Sequence, residues 1–148
     1  MIFSSSCTRR AARLIAAATV ASVAPSGAGL AQEGAIGIEL NKVEDTEEGC
    51  RTLFVFENRT GHELNRFRVD LILFDDEGVF SRQLMLDMAP LYDEKKSVAS
   101  FLLEPAGCGQ IGSILVNDIP QCENGTGTDL DCVDLLEVSS RSDIPLEK

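Results

Sequence analysis

Residues 67–74 read FRVDLILF, and apolar side chains occupy every second position from Phe67. Successive side chains of a β-strand point to opposite faces, so the alternating apolar residues share one face. These residues are Phe67, Val69, Leu71 and Leu73. The acidic turn at 75–78 (DDEG) follows at once, and residues 79–86 (VFSRQLML) return the chain. The sequence therefore predicts a β-hairpin in the middle of the chain.

Short apolar segments separated by turns continue on both sides of this hairpin. They predict further strands at 36–43, 50–57 (CRTLFVFE), 97–103, 111–117 and 133–138. Pro120 should end the sixth strand because proline lacks a backbone N–H. Helical turns compete with strand at 82–88 and at 130–138. About seven short strands with frequent turns indicate an all-β protein, an immunoglobulin-like β-sandwich.

The first 31 residues have the order of a secretory signal peptide. Three arginines and no Asp or Glu precede an apolar run at 14–24, which small residues follow up to Ala31. That run is shorter than the roughly 20 residues of a membrane span. Thr8-Arg9-Arg10 resembles a twin-arginine export signal, and the general secretion route stays open. We expect cleavage before Gln32, a domain at 32–140 and a flexible tail at 141–148.

The composition excludes several classes of function. The 148 residues carry 24 acidic and 13 basic side chains, for a net charge of -11. Removal of 1–31 takes three arginines and no acid, so the exported chain reaches -14. Nucleic acid and anionic lipid both require a basic patch that such a chain lacks. His62 is the single histidine, so no multi-histidine metal site can form, and we expect it to be structural or solvated.

Four cysteines follow the signal segment: Cys50, Cys108, Cys122 and Cys132. An even number in a small exported domain indicates two disulfides. In a sandwich of alternating strands, the second and sixth strands run in the same direction on opposite sheets. Cys50 and Cys108 then lie at one end of the domain, which predicts the pairs Cys50–Cys108 and Cys122–Cys132. A four-cysteine zinc site is the alternative, although the C-x2-C spacing of such sites is absent.

Acidic and asparagine-containing turns supply the remaining candidate sites. Asp129, Asp131 and Asp134 carry oxygen ligands suited to calcium, but no EF-hand pattern is present and a solvated acidic loop is the simpler explanation. The hairpin turn at 75–78 has the same simpler explanation. Asn58 and Asn124 begin formal glycosylation sequons, and we interpret both as turn residues.

Residues 56–103 resemble the immunoglobulin-like FxLYD-type domains of bacterial envelope proteins. The pattern is Asn58-Arg59-Thr60-Gly61, an alternating strand that ends in LILFD, then Glu77-Gly78 and a returning strand. The exported part is also similar to small proteobacterial proteins with twin-arginine signals. That similarity rests on Cys50, on 54–60, on 117–119, on Cys122 and on 131–141. The resemblance implies a fold and an envelope location, and no activity.

Together these features predict a non-catalytic binding or accessory module of the bacterial cell envelope, periplasmic or secreted, without a cofactor or metal. We expect another envelope protein to bind at an exposed strand edge or at the acidic surface. We expect no nucleic-acid partner and no membrane span in the mature form. Two alternatives stay open. One is a calcium-dependent module using residues 129–134, and the other is a small hydrolase with two carboxylates that converge in a pocket.

Overall fold

Two four-stranded β-sheets make up the computed structural model, which describes residues 35–104 and 107–148. Its strands are β1 (Ile36–Asp45), β2 (Cys50–Asn58), β3 (Leu64–Phe74), β4 (Phe80–Asp87), β5 (Lys95–Leu103), β6 (Ser113–Asn124), β7 (Leu136–Ser140) and β8 (Leu146–Glu147). Sheet A has the strand order β5-β2-β1-β7, and sheet B has the order β4-β3-β6-β8. A 3-10 helix at Cys108–Gln110 precedes β6. The prediction of an all-β protein is confirmed.

Alternate residues of the strands form one apolar core from both sheets. Phe54 and Phe56 of β2 and Phe67 of β3 are each at most 2% exposed. Burial of one such side chain contributes about 1.5–3 kcal/mol to stability. Because the side-chain period is two, the residues between them point to the outer faces of the sheets. The outer faces are therefore set by the same pattern that fills the core.

Both disulfides join the cysteine pairs that the strand topology predicts. Cys50 at the start of β2 bonds to Cys108 in the helix before β6, with 4.6 Å between their Cα atoms. This bond connects sheet A to the segment that leads into sheet B. Cys122 of β6 bonds to Cys132, with a Cα separation of 6.2 Å. All four cysteines are buried.

The expected end of the sixth strand at Pro120 is wrong, because β6 continues to Asn124. Arg68 of β3 pairs with Gln121 of β6, and Asp70 pairs with Asp118. Two residues of β6, Ile119 and Pro120, therefore oppose a single residue of β3. Such a β-bulge tolerates proline, since its extra residue makes no ladder hydrogen bond.

The expected flexible tail at 141–148 is corrected by the structure. Ile144 and Leu146 are 5% and 7% exposed, and both belong to the core. β8 runs parallel to β6 at the edge of sheet B, and the Ile114 amide donates to the Pro145 carbonyl. Ser140 donates to the Ile144 carbonyl at 2.6 Å. Residues 141–145 connect β7 of sheet A to β8 of sheet B. This connection buries Ile144 and Leu146 in the core.

Other boundaries and expectations differ in smaller ways. The helical alternatives at 82–88 and 130–138 are wrong, since β4 covers the first and a turn followed by β7 covers the second. The expected signal segment at 1–31 lies outside the described residues. Within the described ranges, no helix is long and apolar enough to cross a membrane.

Removal of the two disulfides should destabilise the domain unequally. In the chain-entropy model, loops of 58 and 10 residues are worth about 4 and about 3 kcal/mol. We expect Cys50→Ala/Cys108→Ala to lower the free energy of unfolding more than Cys122→Ala/Cys132→Ala does. Urea denaturation of the oxidised variants measures both. Equal losses would contradict the dominant role of the long loop.

The buried C-terminal strand predicts a cost for truncating its side chain. Leu146→Ala should lower the free energy of unfolding by about 2–3 kcal/mol, because it leaves a cavity in the core. Glu147→Ala is the matched control, since Glu147 is exposed in the same strand. Its effect should stay within about 0.5 kcal/mol. If both variants unfold at the same urea concentration, β8 does not pack as described.

Candidate binding surfaces

The outer face of sheet A carries a network of ion pairs built around Gly37. Gly37 of β1 pairs with Glu57 of β2 and with Glu137 of β7. Gly37 has no side chain, and the Arg59 guanidinium lies beside it. Arg59 Nη1 donates to Glu57 at 2.9 Å, and Nη2 donates to Glu137 at 2.5 Å. One arginine thus links β2 to β7 across the strand between them.

An open cavity of about 310 Å³ lies beside this network, and we call it the arginine cavity. Its lining residues are Gly37, Ile38, Glu39, Val55, Glu57, Arg59, Lys96, Glu137, Val138, Ser139 and Arg141. Three carboxylates and three cationic groups face it, so its formal charges balance. The Arg59 Nε is buried and has no hydrogen-bond partner among the described residues.

Glu39 is the residue of the arginine cavity whose pKa is lowered. Asn41 Nδ2 donates to its Oε1 at 2.7 Å, and Arg141 Nε donates to its Oε2 at 2.9 Å. These two hydrogen bonds, that from Asn41 first, hold the pKa of Glu39 below its ordinary value. Hydrogen bonds to the charged form of a carboxyl group favour that form. Glu39 therefore remains a carboxylate.

The arginine cavity is poorly suited to glycoside-type hydrolysis. Three glutamates converge there, as that chemistry requires, but Arg59 and Arg141 already bind all of them. A carboxylic acid that protonates a leaving group needs a raised pKa. Glu39 has the opposite displacement. These arginine–glutamate ion pairs instead link separate segments of the chain.

The outer face of sheet B is apolar next to its edge strand β4, and we call this surface the β4 face. Phe80 and Met85 of β4 are 58% and 50% exposed. Cross-strand partners share a face, so Phe74, Ile72 and Leu115 point the same way. These last three are half-buried. The β4 face is thus a mainly apolar surface, interrupted by Gln83 and Asp70, that leads to an unpaired strand edge.

A buried carboxylate on β3 fastens β4 to its neighbours. Asp70 is 5% exposed although it points away from the core. Gln83 of β4 donates to both of its oxygens at 2.9 Å, and Asn117 of β6 donates to Oδ2 at 2.8 Å. Neutral amides, rather than a cation, hydrogen-bond to both of its carboxyl oxygens. Asp70 therefore holds three strands in register at the β-bulge.

The structure separates most of the acidic residues singled out from the sequence. Asp129, Asp131 and Asp134 are exposed, and no metal-ligating group of three is found in the described part of the chain. Asp75 accepts hydrogen bonds from the amides of Glu77 and Val79 within its own turn. The calcium alternative therefore has no assembled site in the described ranges.

His62 lies in a turn, and the two sequon asparagines are the last residues of β2 and β6. His62 is exposed. Asn58 is fully buried, and its amide donates to the carbonyls of His62 and Leu91. Asn124 accepts hydrogen bonds from the amides of Thr126 and Thr128. The interpretation of both asparagines as turn residues needs correction: each ends a strand, and its side chain hydrogen-bonds to the turn that follows.

Several residues of these surfaces escape the sequence analysis. Arg59 and Glu137 are 78 positions apart, and Glu39 and Arg141 are 102 apart. No local pattern connects them, because strand register brings them together. Phe80 and Met85 carry a usable signal, since apolar residues on both faces of one strand predict an apolar outer face.

Comparisons of the chain with protein-family models, with curated proteins and with solved structures find no match.

The lowered pKa of Glu39 predicts an acid-sensitive contribution to stability. A group whose folded pKa is depressed stabilises above its unfolded pKa and loses this effect as the pH falls through the folded value. Its unfolded pKa is near 4.5. The free energy of unfolding of the native chain should therefore fall more steeply below pH 4.5 than that of Glu39→Gln. Urea denaturation between pH 3 and pH 7 measures this difference.

Glu48→Gln is the control for that comparison, because Glu48 is exposed in the turn between β1 and β2. This variant should keep the acid dependence of the native chain. A Glu39→Gln profile that parallels the native one would show that the Asn41 and Arg141 contacts do not persist in solution.

Proposed function

We propose that the chain is a non-catalytic binding module of the bacterial cell envelope with an immunoglobulin-like β-sandwich. The observation that carries this proposal is the β4 face. Phe80 and Met85 belong to the edge strand β4, which is paired on one side only. At least half of the surface of each residue is exposed. An exposed apolar strip at an open edge marks a surface for a protein partner.

The order of the strands supports the immunoglobulin-like assignment. β2 lies next to β5 in one sheet and β3 lies next to β6 in the other, as the B–E and C–F strand pairs of that fold do. The Cys50–Cys108 bond joins the second strand to the segment before the sixth, again between sheets. The last two strands depart from the immunoglobulin-like arrangement, since β7 joins sheet A and β8 runs parallel to β6.

The two disulfides support export to the periplasm or beyond. Disulfides persist in oxidising compartments and are rare in the cytosol. The basic, apolar and small-residue order of residues 1–31 points the same way. An accessory or binding module that works outside the cytoplasm is consistent with both observations.

The binding role predicts a stable protein partner in the envelope. We expect the tagged chain, expressed in its native host, to be recovered from the periplasm with Gln32 at its N-terminus. In-cell crosslinking and affinity capture should then recover one recurrent partner in stoichiometric amount. Met85→Lys should reduce this capture, because it places a charge on the β4 face.

A calcium titration separates this function from the calcium-dependent alternative. Calcium added to the purified chain should leave Tm unchanged, whereas a ligand bound by the native state would raise it. The control variant Glu147→Lys carries its charge at the opposite edge of sheet B and should keep the partner. Capture that never yields a recurrent partner would overturn the proposal.

A further inference from the structure

Of the four sheet edges in the described ranges, β4 is the most open to strand addition. β7 and β8 are edges of five and two residues. β5 begins with Lys95 and Lys96, and lysine at an edge is a common protection against pairing. β4 is eight residues long, hydrogen-bonds to β3 alone and contains neither proline nor lysine.

Arg82 is the single cationic residue of β4, and its side chain already has a hydrogen-bond partner. The Arg82 guanidinium donates to the Glu104 carbonyl, which follows β5 in the other sheet. Arg82 pairs with Leu73 of β3, a core position, so it points inward rather than along the outer face. The unpaired edge therefore presents its backbone next to the apolar side chains of Phe80 and Met85.

Acidic groups bracket this edge strand at both ends. Asp76 and Glu77 are exposed in the turn just before β4, and Asp87 is exposed at its end. Arg68 is 3.6 Å from Asp87 at the second end and offsets it in part. The exposed apolar side chains Phe80 and Met85 thus lie between acidic groups at the two ends of β4.

From this arrangement, and resting on the proposed function, we infer that β4 binds an extended segment of a partner protein by strand addition. The segment carries apolar residues at alternate positions and lysine or arginine towards each end. Its backbone completes the hydrogen bonds of β4, and its apolar side chains cover Phe80 and Met85. Its cations meet Asp76 and Glu77 at one end and Asp87 at the other.

A second copy of this chain fits the edge poorly. Antiparallel pairing of two β4 strands would bring the acidic turn of each copy to Asp87 of the other. Like charges that face each other across strands are destabilising. Each chain also carries a net charge of -11, which opposes self-association. Charge complementarity therefore selects a basic partner.

Selection from displayed random twelve-residue peptides on the oxidised protein tests this inference. Enriched sequences should alternate apolar residues, carry Lys or Arg near both ends and lack proline. A synthetic peptide of the enriched sequence should bind at least tenfold more weakly to Met85→Lys and to Phe80→Lys. Both positions are exposed, so these variants should fold. Val98→Lys on the β5 edge is the matched control, being 65% exposed, and should change Kd less than twofold.

Two further readouts distinguish strand addition from simple contact with the apolar face. Bound peptide should slow hydrogen exchange of β4 backbone amides, because these gain partners. A peptide with Glu in place of each Lys or Arg should bind at least tenfold more weakly at low salt, and rising salt should weaken the basic peptide.

Several outcomes would overturn the inference. Enriched peptides that bind Met85→Lys normally, peptides without basic residues, or no enriched peptide at all would each do so. A dimer of the free chain that Met85→Lys dissolves would make a second copy the occupant. An envelope partner that crosslinks elsewhere on the domain would leave the binding function standing and remove the β4 site alone.

Discussion

Alternate residues of β2 and β3 pack into one core, and this packing determines which residues reach the outer faces of both sheets. Because Phe54, Phe56 and Phe67 must point inward, the residues between them must point outward. The strand period thus places Glu57 on the outer face of sheet A and Asp70 on that of sheet B. A one-residue slip in either strand would exchange core and surface. Both surfaces are consequences of the core.

The two outer faces differ in how far their charged side chains are paired. On sheet A, Arg59, Arg141 and Lys96 offset the three glutamates of the arginine cavity, and these ion pairs link distant segments of the chain. On sheet B, the apolar strip of the β4 face remains uncovered between exposed acids. A surface whose charges are already paired gains little from a charged ligand. The β4 face therefore gains more from a bound partner than the arginine cavity does.

Local patterns in the sequence predict most strands and the disulfide pairing, because alternation and turns are short-range signals. They miss the course of β6 past Pro120, since a bulge depends on the register of a neighbouring strand. They also miss β8, whose two residues are too few for a period, although Ile144 and Leu146 are apolar. The arginine cavity is beyond such analysis, because its ion pairs join residues up to 102 positions apart. The exposed apolar side of β4, by contrast, can be read from its residues.

The Cys50–Cys108 bond also determines how the domain responds to stretching. Tension applied between the two ends of the described domain runs along β1, crosses the sulfur–sulfur bond and enters β6. Residues 51–107 lie inside the closed loop, so they cannot be drawn out while the bond is intact. This loop contains β3, β4 and β5 in full. An oxidised domain under mechanical load would therefore keep the backbone of its edge strand unextended, whereas reduction would allow that strand to be stretched.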